Sequence, residues 1–89
     1  MEITYDPKKN ERNIELRGLS FELARQFDFT KALIIEDERR DYSERRFQAF
    51  GPIYSRLHVL VFTPTGVGLR VISLRRANRR EVKRYEERP

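Results

Sequence analysis

No cysteine and no tryptophan occur among the 89 residues, and there is a single histidine, His58. Without cysteine the chain has neither a disulfide staple nor a thiolate zinc site. One imidazole cannot build a multi-histidine metal cluster. Long apolar runs are also missing. Runs such as Val59–Phe62 stop at four residues, where a membrane-crossing helix needs about 20. The N-terminal MEITYDPKK has no apolar stretch of the kind a secretion signal carries. The expectation is one domain over residues 1–89, cytoplasmic, with no metal, no cofactor and no membrane partner. Acidic groups are the last scarcity. Residues 1–44 hold 11 acidic against 8 basic side chains, but residues 45–89 hold only 3 against 11. That asymmetry points to a polyanion meeting the second half.

What is present reads as a small α+β domain. Met1–Tyr5 alternates weakly and predicts a strand. Asp6 and Pro7 form a cap and first-turn pair, and Gly18 suits a left-handed stop, so a helix is expected near 7–17. Its apolar face is poor, mainly Ile14 and Leu16, so it must lean on tertiary contacts. Ser20 opens a second expected helix near 20–28, with Phe21, Ala24 and Phe27 on one stripe and Leu19 stapled to Ala24. The period then changes to strands: residues 32–36, residues 45–50, a turn at GPIYS, the strong strand LHVLVFT, and LRVISLR running back. In that last strand, strict alternation turns Ile72 and Leu74 to the core and Val71, Ser73 and Arg75 to the open face. Asn78 and Glu81 make a capping box for a C-terminal helix, with Val82 and Tyr85 facing the body. The expected fold is two N-terminal helices packed on one face of an antiparallel sheet, with a C-terminal helix.

The basic end carries the chemistry. Six of the eleven residues from Arg75 to Tyr85 are Arg or Lys. Arginine's planar fork donates two parallel hydrogen bonds to phosphate, so such a cluster suits a nucleic-acid backbone. Fixed positive charge also stabilises a phosphoryl transition state. Glu44, beside Arg45 and Arg46, is one candidate general base. His58 is the other, although a lone histidine in a strand is more often a hydrogen-bonded structural residue. Tyr42, Phe50, Tyr54 and Tyr85 can stack on bases or simply pack.

The stretches YDPKKNERNIELRGLSF, SERRFQAFG and RVISLRRANRREVKRYEE resemble the opening, middle and closing segments of the BrnT-like toxins, in the same order and over nearly the whole chain. The resemblance implies a compact toxin of the RelE-like ribonuclease superfamily that cleaves RNA without a metal and arrests translation. It also implies a small ribbon-helix-helix antitoxin, BrnA-like, whose dimer binds two toxins and represses its own operon through operator DNA. One departure is local. The family pattern usually places Lys-His before the glycine of the first helix, and here Leu16-Arg17 stand there. A histidine that served acid–base chemistry at that point would be missing, and Arg17 is a poor base.

RNA cleavage of this kind needs a base for the 2′-hydroxyl, cations for the phosphate and stabilisation of the leaving oxygen. Arg45, Arg75, Arg76 and Arg79 are the candidates for phosphate binding, Glu44 or His58 for the base, and Tyr85 for orienting the phosphate or supplying a proton. Lys9, Arg17, Arg46, Arg80 and Lys83 join Arg79 as candidate nucleic-acid contacts. Two rivals use the same arginines without catalysis. One is a nucleic-acid-binding module or co-repressor working with a small DNA-binding partner. The other is a structural partner for an acidic protein.

Overall fold

The computed structural model describes all 89 residues, Met1–Pro89. Strand β1 (Glu2–Tyr5) leads into helix α1 (Pro7–Arg17), and two 3-10 segments follow, Phe21–Gln26 and Phe29–Lys31. Strands β2 (Leu33–Glu36), β3 (Phe47–Ile53), β4 (Arg56–Pro64) and β5 (Gly68–Arg76) come next, and helix α2 (Arg79–Glu86) closes the chain. One five-stranded sheet has the order β1-β5-β4-β3-β2. The α+β class is as expected, and three features refine it.

The first concerns the second helix. It is a 3-10 segment, because Phe21, Ala24 and Phe27 recur every third residue. At three residues per turn that spacing puts all three on one line, and all three are buried in the core. Its end is tied to β3 by an isolated bridge between Phe27 and Ile53 and by Asp28 N–H donating to the Pro52 carbonyl at 3.0 Å. The second is that β1 joins β5 in parallel, pairing Glu2 with Gly68 and Tyr5 with Val71, so the sheet is mixed. Gly68 permits that approach, since a Cβ there would sit 1.9 Å from the Glu2 carbonyl oxygen. The third is the β3–β4 turn. It falls at Tyr54–Ser55, with Tyr54 at φ 55°, and Gly51, Pro52 and Ile53 belong to β3.

Helix α1 is capped as its sequence implies. Asp6 accepts from Lys8 N–H, and Gly18 stops the helix at φ 70°. Its grip on the body is polar. Asn13 is buried and donates Nδ2 hydrogen bonds to the Leu19 and Leu74 carbonyls, each 2.9 Å. Asn10 Oδ1 accepts from Phe21 N–H at 2.8 Å. The Leu74 carbonyl lies on the part of β5 beyond its pairing with β1, so α1 covers a sheet edge that would otherwise expose unpaired backbone.

The sheet has two unlike faces. The inner face carries Ala49, Leu60 and Leu74 in one row and Phe47, Phe62 and Val71 in the next. These rows pack with Ile3, Ile53, Leu69 and the 3-10 residues into one core cluster. Leu60 and Leu74 are fully buried, worth about 1.5–3 kcal/mol each. The outer face is partly covered by α2, whose Tyr85, Glu81 and Arg84 meet Leu33 and Phe50 in a small crevice.

Strand β5 does not alternate throughout. Val61 pairs with Ser73, but Phe62 pairs with Val71, so Ile72 is an extra, bulged residue. The bulge shifts the phase by one position. Leu69, Val71 and Leu74 are all buried inward, while Arg70, Ser73 and Arg75 take the outer face. Ile72, expected in the core, is only half-buried. Strict alternation would have put Arg70 and Leu74 on the same side, one wanting water and the other the core.

Candidate RNA-cleaving surface

The outer face is organised in rows. Arg46 precedes the Phe47–Phe62 pair and Thr63 follows it, so Arg46, Thr63 and Arg70 share one row. The next row holds Gln48, Val61 and Ser73, and the one after it Phe50, Val59 and Arg75. Successive rows lie about 7 Å apart along the strands. The β2–β3 loop edges the first row. Glu44, on that loop, forms an ion pair with Arg70. The Arg46 guanidinium lies 4.2 Å above the centre of the Tyr42 ring. Tyr42 Oη donates to Asp37 at 3.2 Å, and Arg39 forks onto both Asp37 oxygens at 2.8 Å. Asp37 is buried, and the Arg39 hydrogen bond holds its carboxyl well down, at about 2. The loop is therefore fixed by charge. Lys9 of α1 and Arg70 line one open groove at the rim with Thr4 and Tyr5.

Arg75 is two rows away and already occupied. Both its terminal nitrogens bind Glu81 at 2.8 Å. Glu81 also accepts from Asn78 N–H at 2.9 Å, while Asn78 Oδ1 accepts from Glu81 N–H at 2.9 Å. This is the expected capping box, now latched to the sheet. The Arg75 hydrogen bond lowers the Glu81 carboxyl to about 2. A carboxylate held below its ordinary pKa stabilises the fold fully above the unfolded value and loses that contribution as pH falls through the folded one. Stability should therefore decline from about pH 4.5 towards 2. Thermal melts across that range should show a shallower decline for Glu81→Gln, together with a lower melting temperature at pH 7. Parallel pH profiles for wild type and variant would refute the latch.

The remaining candidates lie elsewhere. His58 sits on the inner face, in a row with Gly51 and Arg76, and is buried. Its Nδ1 donates to the Arg56 carbonyl at 2.8 Å, and burial, followed by the charges of Arg76 and Arg56, lowers its pKa. The two candidate bases are thus on opposite sides of the sheet. Arg45 also turns inward, binding Glu36 at 2.8 and 3.0 Å beside Phe47. Arg17 donates to Asn13 Oδ1 at 2.9 Å. Tyr85 gives its hydroxyl to the Lys31 carbonyl and stacks under Arg88 at 3.6 Å. Arg76, Arg79, Arg80 and Lys83 are exposed, the last three on α2.

Sequence reasoning passed over Arg70 and Thr63. The doublet Val71-Ile72, two apolar residues side by side in an alternating strand, was the signal of the bulge that puts Arg70 on the outer face.

Comparison with known proteins places the chain in a family. Residues 5–81 match the family model described as "Ribonuclease toxin, BrnT, of type II toxin-antitoxin system". No curated protein matches the chain. The family match runs from the end of β1 to Glu81, and so takes in the whole outer-face cluster and the latch. The chain belongs to the BrnT family of ribonuclease toxins, with RNA as its target and a cognate BrnA-like antitoxin as its partner.

Proposed function

We propose that the outer face of the sheet cleaves RNA by intramolecular attack, with Glu44 as the base and Arg70 and Arg46 as the phosphate cations. The observation that carries this reading is the Glu44–Arg70 ion pair, made across 26 residues of sequence on a face otherwise rich in arginine. Glu44 takes the proton of the 2′-hydroxyl as its oxygen attacks the adjacent phosphorus. The arginines hold the non-bridging oxygens while charge builds on them. The bond to the 5′-oxygen breaks, and that oxygen takes a proton from solvent. The products are a 2′,3′-cyclic phosphate and a 5′-hydroxyl. No step calls on a metal.

Lys9 guides the strand at the groove rim. Arg75 serves mainly by fixing α2, whose exposed Arg79, Arg80 and Lys83 contact flanking backbone, while Arg76 belongs to the inner-face row of His58. The antitoxin covers this face and excludes RNA. An antitoxin dimer of ribbon-helix-helix type carries two toxins and brings the complex to operator DNA, within the cytoplasm.

The test is single-turnover cleavage of a defined RNA with EDTA present, followed by end analysis. Cyclic phosphate ends are expected, together with loss of cleavage when the scissile nucleotide is 2′-deoxy. Cleavage that stops in EDTA, or persists on the deoxy substrate, would overturn the mechanism. The mass of the co-purified complex, with and without operator DNA, tests the assembly.

A further inference from the structure

Two buried side-chain polar atoms have no hydrogen-bond partner: Arg46 Nε and Thr63 Oγ1. Thr63 is 7% exposed. Such atoms cost stability and are rare in native proteins. These two are not scattered. They fall in one row of the outer face, with Arg70 completing it and Glu44 on Arg70. The β-bulge at Ile72 of β5 lies two residues beyond Arg70, and by shifting the phase of β5 it turns Arg70 to the outer face beside Thr63.

We propose that Thr63 is a further catalytic residue, whose hydroxyl, with Arg46 Nε, takes a non-bridging oxygen of the scissile phosphate. The inference rests on the outer-face reading above. The chemistry of the row selects the ligand. Arg46 Nε–H and the Arg70 guanidinium only donate, and the Thr63 hydroxyl is free to donate. An acceptor-rich anion satisfies all three, as a phosphodiester does. In the free protein the acceptor on Arg70 is the Glu44 carboxylate. When a phosphate takes its place, Glu44 is released next to the 2′-hydroxyl it must deprotonate. Both donors are closed to solvent in the free state, so they are met only when opening of the Glu44–Arg70 pair admits substrate, and their contribution then grows as charge develops on the phosphoryl oxygens.

Thr63→Val tests this, because it keeps the shape and removes the hydroxyl. A melt and a single-turnover assay are run on the full chain. The melting temperature should hold or rise by a few degrees, since an unsatisfied buried hydroxyl is replaced by a methyl group. Cleavage should fall about tenfold to a hundredfold, the value of a hydrogen bond to a charged group. Thr63→Ser should restore most of it. Sulfur in place of one non-bridging oxygen should slow the wild type more than the valine variant. Wild-type cleavage by Thr63→Val overturns the proposal. So does a clear drop in its melting temperature, which would show that the hydroxyl serves the fold. If Glu44→Gln leaves cleavage unchanged, the outer-face reading itself fails, independently of Thr63.

Discussion

Arg70→Ala is expected to slow RNA cleavage about a hundredfold to a thousandfold while leaving the protein folded. Its guanidinium is the cation that meets Glu44. Losing it removes a charge-assisted donor to phosphate and the group that holds the base in place. Glu44→Gln keeps the shape but has no basic oxygen, and should cost a comparable factor, on the order of a hundredfold to ten-thousandfold. The double variant should be little worse than the worse single one, because the two groups act as a unit. Both side chains are at least a third exposed, so their pairing adds little to stability and the melts should overlay. His58→Gln is the control. With its ring on the inner face, it should cleave at a rate near wild type. The assay is single-turnover cleavage on protein freed of antitoxin. Full activity in a folded Arg70→Ala variant, or loss of activity in a folded His58→Gln variant, would reverse these roles.

The largest effect on stability is expected from a polar residue, Asn13. Its amide donates to two backbone carbonyls, and its Oδ1 receives Arg17, all at 2.9 Å. Asn13→Leu keeps the volume but leaves the Leu19 and Leu74 carbonyls without that donor. At about 1–3 kcal/mol for each unsatisfied buried group, the loss should be roughly 3 kcal/mol or more. For a domain of this size that lowers the melting temperature by about 15 °C. Helix α1 offers little to offset it, since its Ile14 and Leu16 are exposed. Thermal and denaturant melts of the variant check the figure. A change of under 2 °C would mean that α1 is held by other contacts.

How far these features were legible in the sequence depends on how local their causes are. The caps at Asp6, Gly18 and Asn78 were readable because each acts within a few residues. The strand at LHVLVFT was readable from its own run of β-branched and aromatic residues. The parallel docking of β1 was not, because its partner lies more than sixty residues away and nothing within EITY specifies direction. Arg70 was misplaced because the bulge at Ile72 inverts the alternation on which the facing argument rests. Of the candidate site, Glu44 was singled out by its adjacency in sequence to Arg45 and Arg46. The separation of Glu44 and Arg46 from Arg45 and His58 required the register of β3 on β4. Family resemblance supplied the class of chemistry, but not which side of the sheet performs it.

The parallel pairing of β1 with β5 has a consequence in time. During synthesis the first strand emerges long before its partner exists. Only after Val71 has left the ribosome can Tyr5 find its place, and only after Leu74 can Asn13 close the edge. Arg70, too, arrives after Glu44 by 26 residues. At about 5–20 residues per second, the nascent chain carries no finished cleavage surface for several seconds. Until β5 is out and the sheet closes, Glu44 and Arg70 cannot meet, so any activity that depends on their pairing begins only after most of the chain has been made.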